Sequence, residues 1–292
     1  MVCSLCPRKC GVDREISHGY CGAGLSAKVA RAELHMWEEP CISGKNGSGT
    51  VFFSGCNLRC VYCQNYEISR QNNGAGKEIS DKKLSEVFLR LQEQHANNIN
   101  LVTPTPYVPN IINALDMVKD KLHIPTVYNC GGYESVETLK MLDGYIDIYM
   151  PDFKYCDSET AKKYSEAPDY PETVTKALEE MHRQTKELEW NGDLLKKGLI
   201  VRHLVLPYQR KQSMKILDLL KETVPQKDML LSLMSQFTPT LECKNYPEID
   251  RRITTFEYNS VCDYARKLDF NGYFQERESA QSVYIPQWNF EI

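Results

Sequence analysis

The chain has 292 residues, enough for one large domain or two modest ones. Its 42% hydrophobic and 25% charged residues are ordinary for a globular protein, and a net charge of -4 gives no bulk attraction for nucleic acid. No stretch is apolar over the length of a bilayer, and the N-terminus lacks the charged and apolar regions of a signal peptide, so neither nucleic acid nor membrane is an expected partner and the expected location is cytoplasmic.

Twelve cysteines are many for such a compartment, where disulfides are disfavoured and clustered cysteines read as metal ligands. Eight of them precede residue 64. Residues 1–48 form a Cys-rich segment with Cys3, Cys6, Cys10 and Cys21, and with Gly11, Gly19, Gly22 and Gly24 between them. Four thiols at this spacing suit a second metal site, either tetrahedral zinc or an iron–sulfur cluster, with Cys41 as a substitute ligand. Gly44 to Gly49 lacks the Gly-Lys-Ser/Thr of a phosphate loop and reads as a linker.

Thr50 to Phe53 is a short buried strand, followed by a Gly55 hinge and then Cys56-x3-Cys60-x2-Cys63. Three thiolates on one short loop can hold three corners of a cubane 4Fe-4S cluster. They leave the fourth iron open for a ligand, as an open position does in catalytic zinc sites.

Gln71 to Gly76 is a polar, Gly-rich loop. Ser80 then caps a helix whose apolar face is Leu84, Val87, Phe88 and Leu91. Strands follow at Ile99–Val102, Pro125–Tyr128, Ile146–Tyr149, Leu199–Leu206 and Met229–Leu233. Between them lie helices marked by Ile111, Ile112, Leu115 and Val118, by Val136, Leu139 and Leu142, by a long run from Pro171 to Trp190, and by Ile216 to Leu220. A last helix covers Tyr258 to Leu268. The tail, 271–292, is aromatic and is expected to pack on the core.

About six strand–helix units predict an α/β fold with a parallel sheet. In a barrel of such units functional residues collect at strand C-termini. Here those ends carry Thr103 and Thr105, Asn129 with Gly131 and Gly132, Asp152 and Lys154, Arg202 and His203, and Gln236. Asp152 and Lys154 also read as a surface ion pair, and His203 as a core histidine on the face opposite Arg202. Cys130 ends a strand and is a candidate hydrogen donor if it faces the pocket.

The cysteine loop, with Tyr62 before its last cysteine, resembles the radical S-adenosylmethionine (SAM) superfamily. The stretches from Glu38 to Cys41, Ser54 to Ser69, Leu101 to Thr105, Tyr128 to Ser135, Asp147 to Lys154, Val201 to Pro207 and Met234 to Gln236 are similar to uncharacterised homologues of pyruvate formate-lyase activating enzyme (PflX-like). That resemblance implies a partial (β/α)6 TIM-like barrel over 49–270, with Cys56, Cys60 and Cys63 as iron ligands. It implies S-adenosylmethionine as cosubstrate, with Tyr62 near the adenine. Thr103, Thr105, Asn129, Asp152, Lys154, Arg202 and Gln236 would surround its polar groups. Relatives hold the methionine amino group with Gly-Gly-Glu; this chain has Thr103-Pro104-Thr105-Pro106 there. The implied activity is generation of a 5′-deoxyadenosyl radical that abstracts hydrogen from a protein glycine, making a glycyl radical enzyme the protein partner. A flavodoxin or ferredoxin is the expected electron donor. Modification of another protein, peptide or small molecule is the alternative, and a non-catalytic zinc or redox-sensing protein is the rival from another class.

Overall fold

The computed structural model describes residues 2–70, 75–275, 288, 290 and 292. Its first strand, β1 (Ala27–His35), lies inside the Cys-rich segment 1–48. The alternation that should reveal it is interrupted, because Val29 and Ala30 are both buried where the register against the next strand shifts. A one-turn helix α1 (Pro40–Ser43) leads to β2 (Ser48–Phe53), which pairs antiparallel with β1 from Val29↔Phe53 to His35↔Ser48. After α2 (Tyr66–Ser69), β3 (Lys77–Ile79) pairs antiparallel with β1 on its other side.

The parallel part then builds in order: α3 (Asp81–Glu93), β4 (Ile99–Val102), α4 (Val108–Asp116), β5 (Thr126–Cys130), α5 (Val136–Met141) and β6 (Ile148–Pro151). In α3 the Ser80 side chain accepts from Lys83 N, and Leu84, Val87, Phe88 and Leu91 are buried, as their spacing predicts. Burying each of these four gains on the order of 1.5–3 kcal/mol.

Helices α6 (Ser158–Ser165) and α7 (Tyr170–Thr185) follow. The long helix expected to reach Trp190 stops at Thr185. Lys186 takes a positive φ of 56°, and the chain turns at Gly192-Asp193 into a hairpin of β7 (Glu189–Asn191) with β8 (Leu194–Leu204). Then come α8 (Arg210–Thr223), β9 (Met229–Met234), α9 (Thr255–Lys267), held by a capping box of Thr254 and Glu257, and β10 (Gly272–Phe274).

The result is an α/β fold around a mostly parallel sheet of order β10-β9-β8-β6-β5-β4-β2-β1-β3. Strand alternation gives its two faces different partners. Val51, Phe53, Leu101, Tyr128, Tyr149, Val201 and Leu233 pack in the main core with the helices. Val127, Ile148, Met150, Ile200 and Leu230 face the other way, onto Cys41 and Ile42 of α1. Of the tail, Trp288 meets Phe52 edge-on at 5.4 Å, and Phe290 packs against the same small cluster. The rest of the expected tail packing, Tyr284 included, and most of the Gln71–Gly76 loop lie outside the described residues.

Candidate functional site

The loop Cys56–Cys63 leaves the C-terminal end of β2 through Gly55. Gly55 has φ +87°, and a side-chain carbon there would come within 2.4 Å of the Cys21 carbonyl oxygen. Glycine lets the loop pass against the N-terminal segment. The loop is then tied on several sides. Arg59 N donates to Ser165 O (3.3 Å) and Val61 N to Tyr164 O (2.9 Å). Asn57 Nδ2 donates to Tyr133 O (2.6 Å), Thr240 Oγ1 to Val61 O (2.6 Å) and Arg8 Nε to Asn57 O (2.9 Å).

Each of the three sulfurs has a polar neighbour. Leu58 N donates to Cys56 Sγ at 3.4 Å, Ser165 Oγ to Cys60 Sγ at 2.9 Å, and Ser69 Oγ lies 3.3 Å from Cys63 Sγ. Burial pushes the Cys56 and Cys63 thiols up, while the nearby Lys154 charge favours their thiolates. Three thiols on one loop, each with a hydrogen-bonding neighbour and with a cation in range, are a donor set that fits an iron–sulfur cluster. Among the described residues no group of three or more His, Cys, Asp or Glu is gathered for a single metal ion.

Beside the loop lies a buried charged network from four strand ends. Arg202 donates from Nε to Asp152 Oδ1 (2.9 Å) and from Nη2 to Asn129 Oδ1 (2.6 Å), and its Nη1 is 3.5 Å from Glu38 Oε2. Lys154 Nζ donates to Asp152 Oδ2 at 2.6 Å. Both residues of this pair are largely buried, so it is not the surface pair that the sequence also allowed. Burial would raise the Asp152 carboxyl, but Arg202 and Lys154 outweigh it and hold it below the usual range. For Glu38 and Glu39 burial wins over Arg202, and both are raised. Asn100 Nδ2 donates to Glu38 Oε1 (3.0 Å), while Asn100 Oδ1 and Glu39 Oε2 are buried without a partner.

Sequence reasoning missed Glu38, Glu39 and Asn100 as members of this network. Two adjacent carboxylates before Pro40, and an Asn inside the apolar run Ile99–Val102, were the available signals.

The other expected residues divide. Gln236 is brought to the loop: its carbonyl accepts from Gln64 Nε2 at 3.1 Å. Thr103 takes φ +58° and its N–H donates to Asn129 O (2.9 Å). Tyr62 is buried, 5.9 Å from the Phe237 ring, with its hydroxyl 2.6 Å from that of Tyr155.

Thr105 instead donates to Glu134 Oε1 at 2.7 Å. Glu134 is a buried acid that also accepts from Tyr128 and is pushed up to about 7 by desolvation. Cys130 shares the helix-side core with Tyr128, while its neighbour Asn129 meets Arg202. A hydrogen donor into the network does not fit that placement, since adjacent strand residues point to opposite faces. His203 is a satisfied core histidine, 2.7 Å from Phe153 O and 2.8 Å from Ser213 Oγ, its pKa lowered to about 4 by burial.

In the N-terminal segment, a side-chain carbon on Gly19 would stand 3.3 Å from Cys10 Sγ and 3.5 Å from Cys21 Sγ. Cys3, Cys6 and Cys21 are buried. Burial pushes the Cys6 thiol up to about 12. Cys10 goes the other way, because N–H groups of Tyr20 and Val12 outweigh its partial burial. Cys41 does not join them. It packs with Ile42, Val127 and Ile148 under the sheet, and its thiol, raised to about 11 by burial, bonds Tyr273. Between this segment and α4 opens a groove of about 360 Å³ lined by Val2, Leu25, Asp13, Arg14, Asp81 and Asn113.

No helix among the described residues is long and apolar enough to cross a membrane. The uncharacterized protein MJ0674 of Methanocaldococcus jannaschii is 29% identical over 279 residues, 92% of this chain and 75% of that protein. Among solved structures, Streptococcus suis SuiB bound to S-adenosylmethionine matches with a TM-score of 0.52 and 14% identity, over 78% of this chain and 50% of that chain. SuiB bound to the precursor peptide SuiA matches with a TM-score of 0.51 and 15% identity, over 76% of this chain and 46% of that one. The chain thus spans about half the length of these SuiB chains, and the likeness is one of fold. The model of the Radical SAM superfamily matches residues 50–198, from β2 and the cysteine loop through Asp152 and Lys154 to the start of β8. Half of the chain is covered by that match, so it belongs to the radical SAM superfamily, a membership that implies a 4Fe-4S cluster, S-adenosylmethionine and an enzyme of radical chemistry.

Proposed function

We propose that Cys56, Cys60 and Cys63 hold three irons of the 4Fe-4S cluster, within a partial (β/α)6 barrel over 49–270. S-adenosylmethionine would bind across the adjoining strand ends. One observation carries this reading: Asn129, Asp152, Lys154 and Arg202 converge from the ends of three strands, β5, β6 and β8, with Lys154 in electrostatic range of all three cysteine sulfurs. When bound, the cluster supplies one electron to the sulfonium, splitting S-adenosylmethionine into methionine and a 5′-deoxyadenosyl radical that takes a hydrogen atom from the substrate.

The chain's own part is binding and orientation. Lys154 would take a carboxylate, and Asp152, Asn129 and Gln236 an ammonium or ribose hydroxyls. Thr103 would extend the same rim, with Tyr62 and Phe237 beside it. The unpartnered acceptors of Glu39 and Asn100 favour a cationic group over an anion at the depth of the network.

The target class is a protein glycine, supported by the motif resemblance to activating enzymes, with flavodoxin or ferredoxin as reductant. A peptide target is the second reading. It is favoured by the groove of about 360 Å³ and by the solution of SuiB with its precursor peptide. The four N-terminal cysteines, two of them converging on Gly19, are proposed to hold a second metal.

The test is anaerobic reconstitution with iron and sulfide, followed by dithionite and S-adenosylmethionine. 5′-Deoxyadenosine should form, and Cys60→Ala should abolish both cluster and cleavage. An intact cluster that never cleaves S-adenosylmethionine refutes the proposal. An organic radical signal on a candidate glycyl radical enzyme or peptide then decides the target. For the second metal, Cys6→Ser with Cys10→Ser should lose one zinc, or a second set of irons, and keep the first cluster.

A further inference from the structure

The shortest contact to any of the three loop sulfurs comes from far away in the sequence. Ser165, the last residue of α6, is fully buried, and its Oγ lies 2.9 Å from Cys60 Sγ. Tyr155 Oη is 2.6 Å from Ser165 Oγ, and Tyr62 Oη is 2.6 Å from Tyr155 Oη. The Ser165 carbonyl is pinned by Arg59 N and Arg8 Nη2, both at 3.3 Å. Three buried hydroxyls thus run in a line that ends on one sulfur.

The direction of the line follows from proton counting. A Cys60 thiolate has no proton to give, so Ser165 must donate to it. Ser165 Oγ is then free to accept from Tyr155, and Tyr155 Oη to accept from Tyr62. Each donor is made stronger by the one behind it. A tyrosine hydroxyl carries its proton at neutral pH, so both can act as donors along the line.

We infer that Ser165, backed by Tyr155 and Tyr62, is a positioning residue that donates to the Cys60 thiolate and raises the reduction potential of the cluster. Hydrogen bonds to cluster sulfurs draw off electron density and ease the extra negative charge of the reduced state. The hydroxyl is fully buried between Tyr155 and Cys60, away from bulk water. The inference rests on the reading of Cys60 as an iron ligand.

The experiment measures iron and sulfide content and the midpoint potential of the reconstituted cluster, by electron paramagnetic resonance titration without S-adenosylmethionine. Ser165→Ala should keep the iron content while making the reduction equilibrium threefold to tenfold less favourable, a tenfold loss being about 59 mV for one electron. Tyr155→Phe should move it the same way by less, and Ser165→Thr, which keeps the hydroxyl, should restore it. If Ser165→Ala takes up no iron, Tyr155→Phe carries the test. A loaded Ser165→Ala or Tyr155→Phe cluster at the unchanged potential overturns the inference while leaving the ligand reading intact. A Cys60→Ala variant that assembles the full cluster overturns both.

Discussion

Arg202 is the residue whose removal the structure makes most consequential. Replacement by Met keeps most of the apolar stem and deletes the guanidinium. Two good hydrogen bonds are lost, to Asp152 and Asn129, with the longer contact to Glu38. Three buried carboxyls, Glu38, Glu39 and Asp152, then lose the Arg202 charge, and of these Asp152 keeps the cation of Lys154. Breaking a buried pair by removing one partner costs about 3–5 kcal/mol.

The penalty should depend on pH. Without Arg202 the folded-state carboxyl pKa values rise, so the native chain binds protons that the unfolded chain has released. Stability of the variant is then fullest at acid pH and falls as pH rises. Each unit of pKa is worth about 1.4 kcal/mol, so acidifying from pH 7 to 5 should recover about 1–3 kcal/mol relative to the parent chain. Urea denaturation under anaerobic, reducing conditions at both pH values checks this. A penalty under about 1 kcal/mol, or one equal at the two pH values, refutes the reasoning.

Three further outcomes are expected. Glu134 has a folded pKa of about 7 against an ordinary 4.5, so it contributes a stability loss that develops as pH rises from 4.5 to 7. Glu134→Gln should therefore gain on the order of 3 kcal/mol on the parent chain between pH 5 and 8 in denaturant melts, and a pH-independent difference would contradict the assignment. His203→Ala leaves Phe153 O and Ser213 Oγ without their partner. It should lose about 2–5 kcal/mol of stability yet keep deoxyadenosine formation per bound cluster, a split that a catalytic histidine would not give. Gly55→Ala must push against the Cys21 carbonyl at 2.4 Å in a left-handed backbone conformation. Iron uptake by this variant should fall several-fold while far-ultraviolet circular dichroism is retained; normal loading would show that the loop can shift.

The strand–helix alternation, the apolar face of α3 and the three loop cysteines were legible in the sequence, because each depends on short-range spacing. β1 was not, since the bulge at Val29–Ala30 breaks its period. Nor was the β7–β8 hairpin, where a charged, helix-compatible stretch hides the Gly192-Asp193 turn.

By itself the sequence determined which residue types stand at strand ends: three thiols, then Asn129, Asp152, Lys154 and Arg202. Only the tertiary structure decided their company. It turned Cys130 and Thr105 towards Glu134 and away from Arg202, sent Cys41 beneath the sheet, and brought Glu38, Glu39 and Ser165 to the site. The reason is range. Alternation along one strand is a local rule, but contacts such as Arg202 with Glu38, or Ser165 with Cys60, join residues more than a hundred positions apart, and nothing in the local sequence records them.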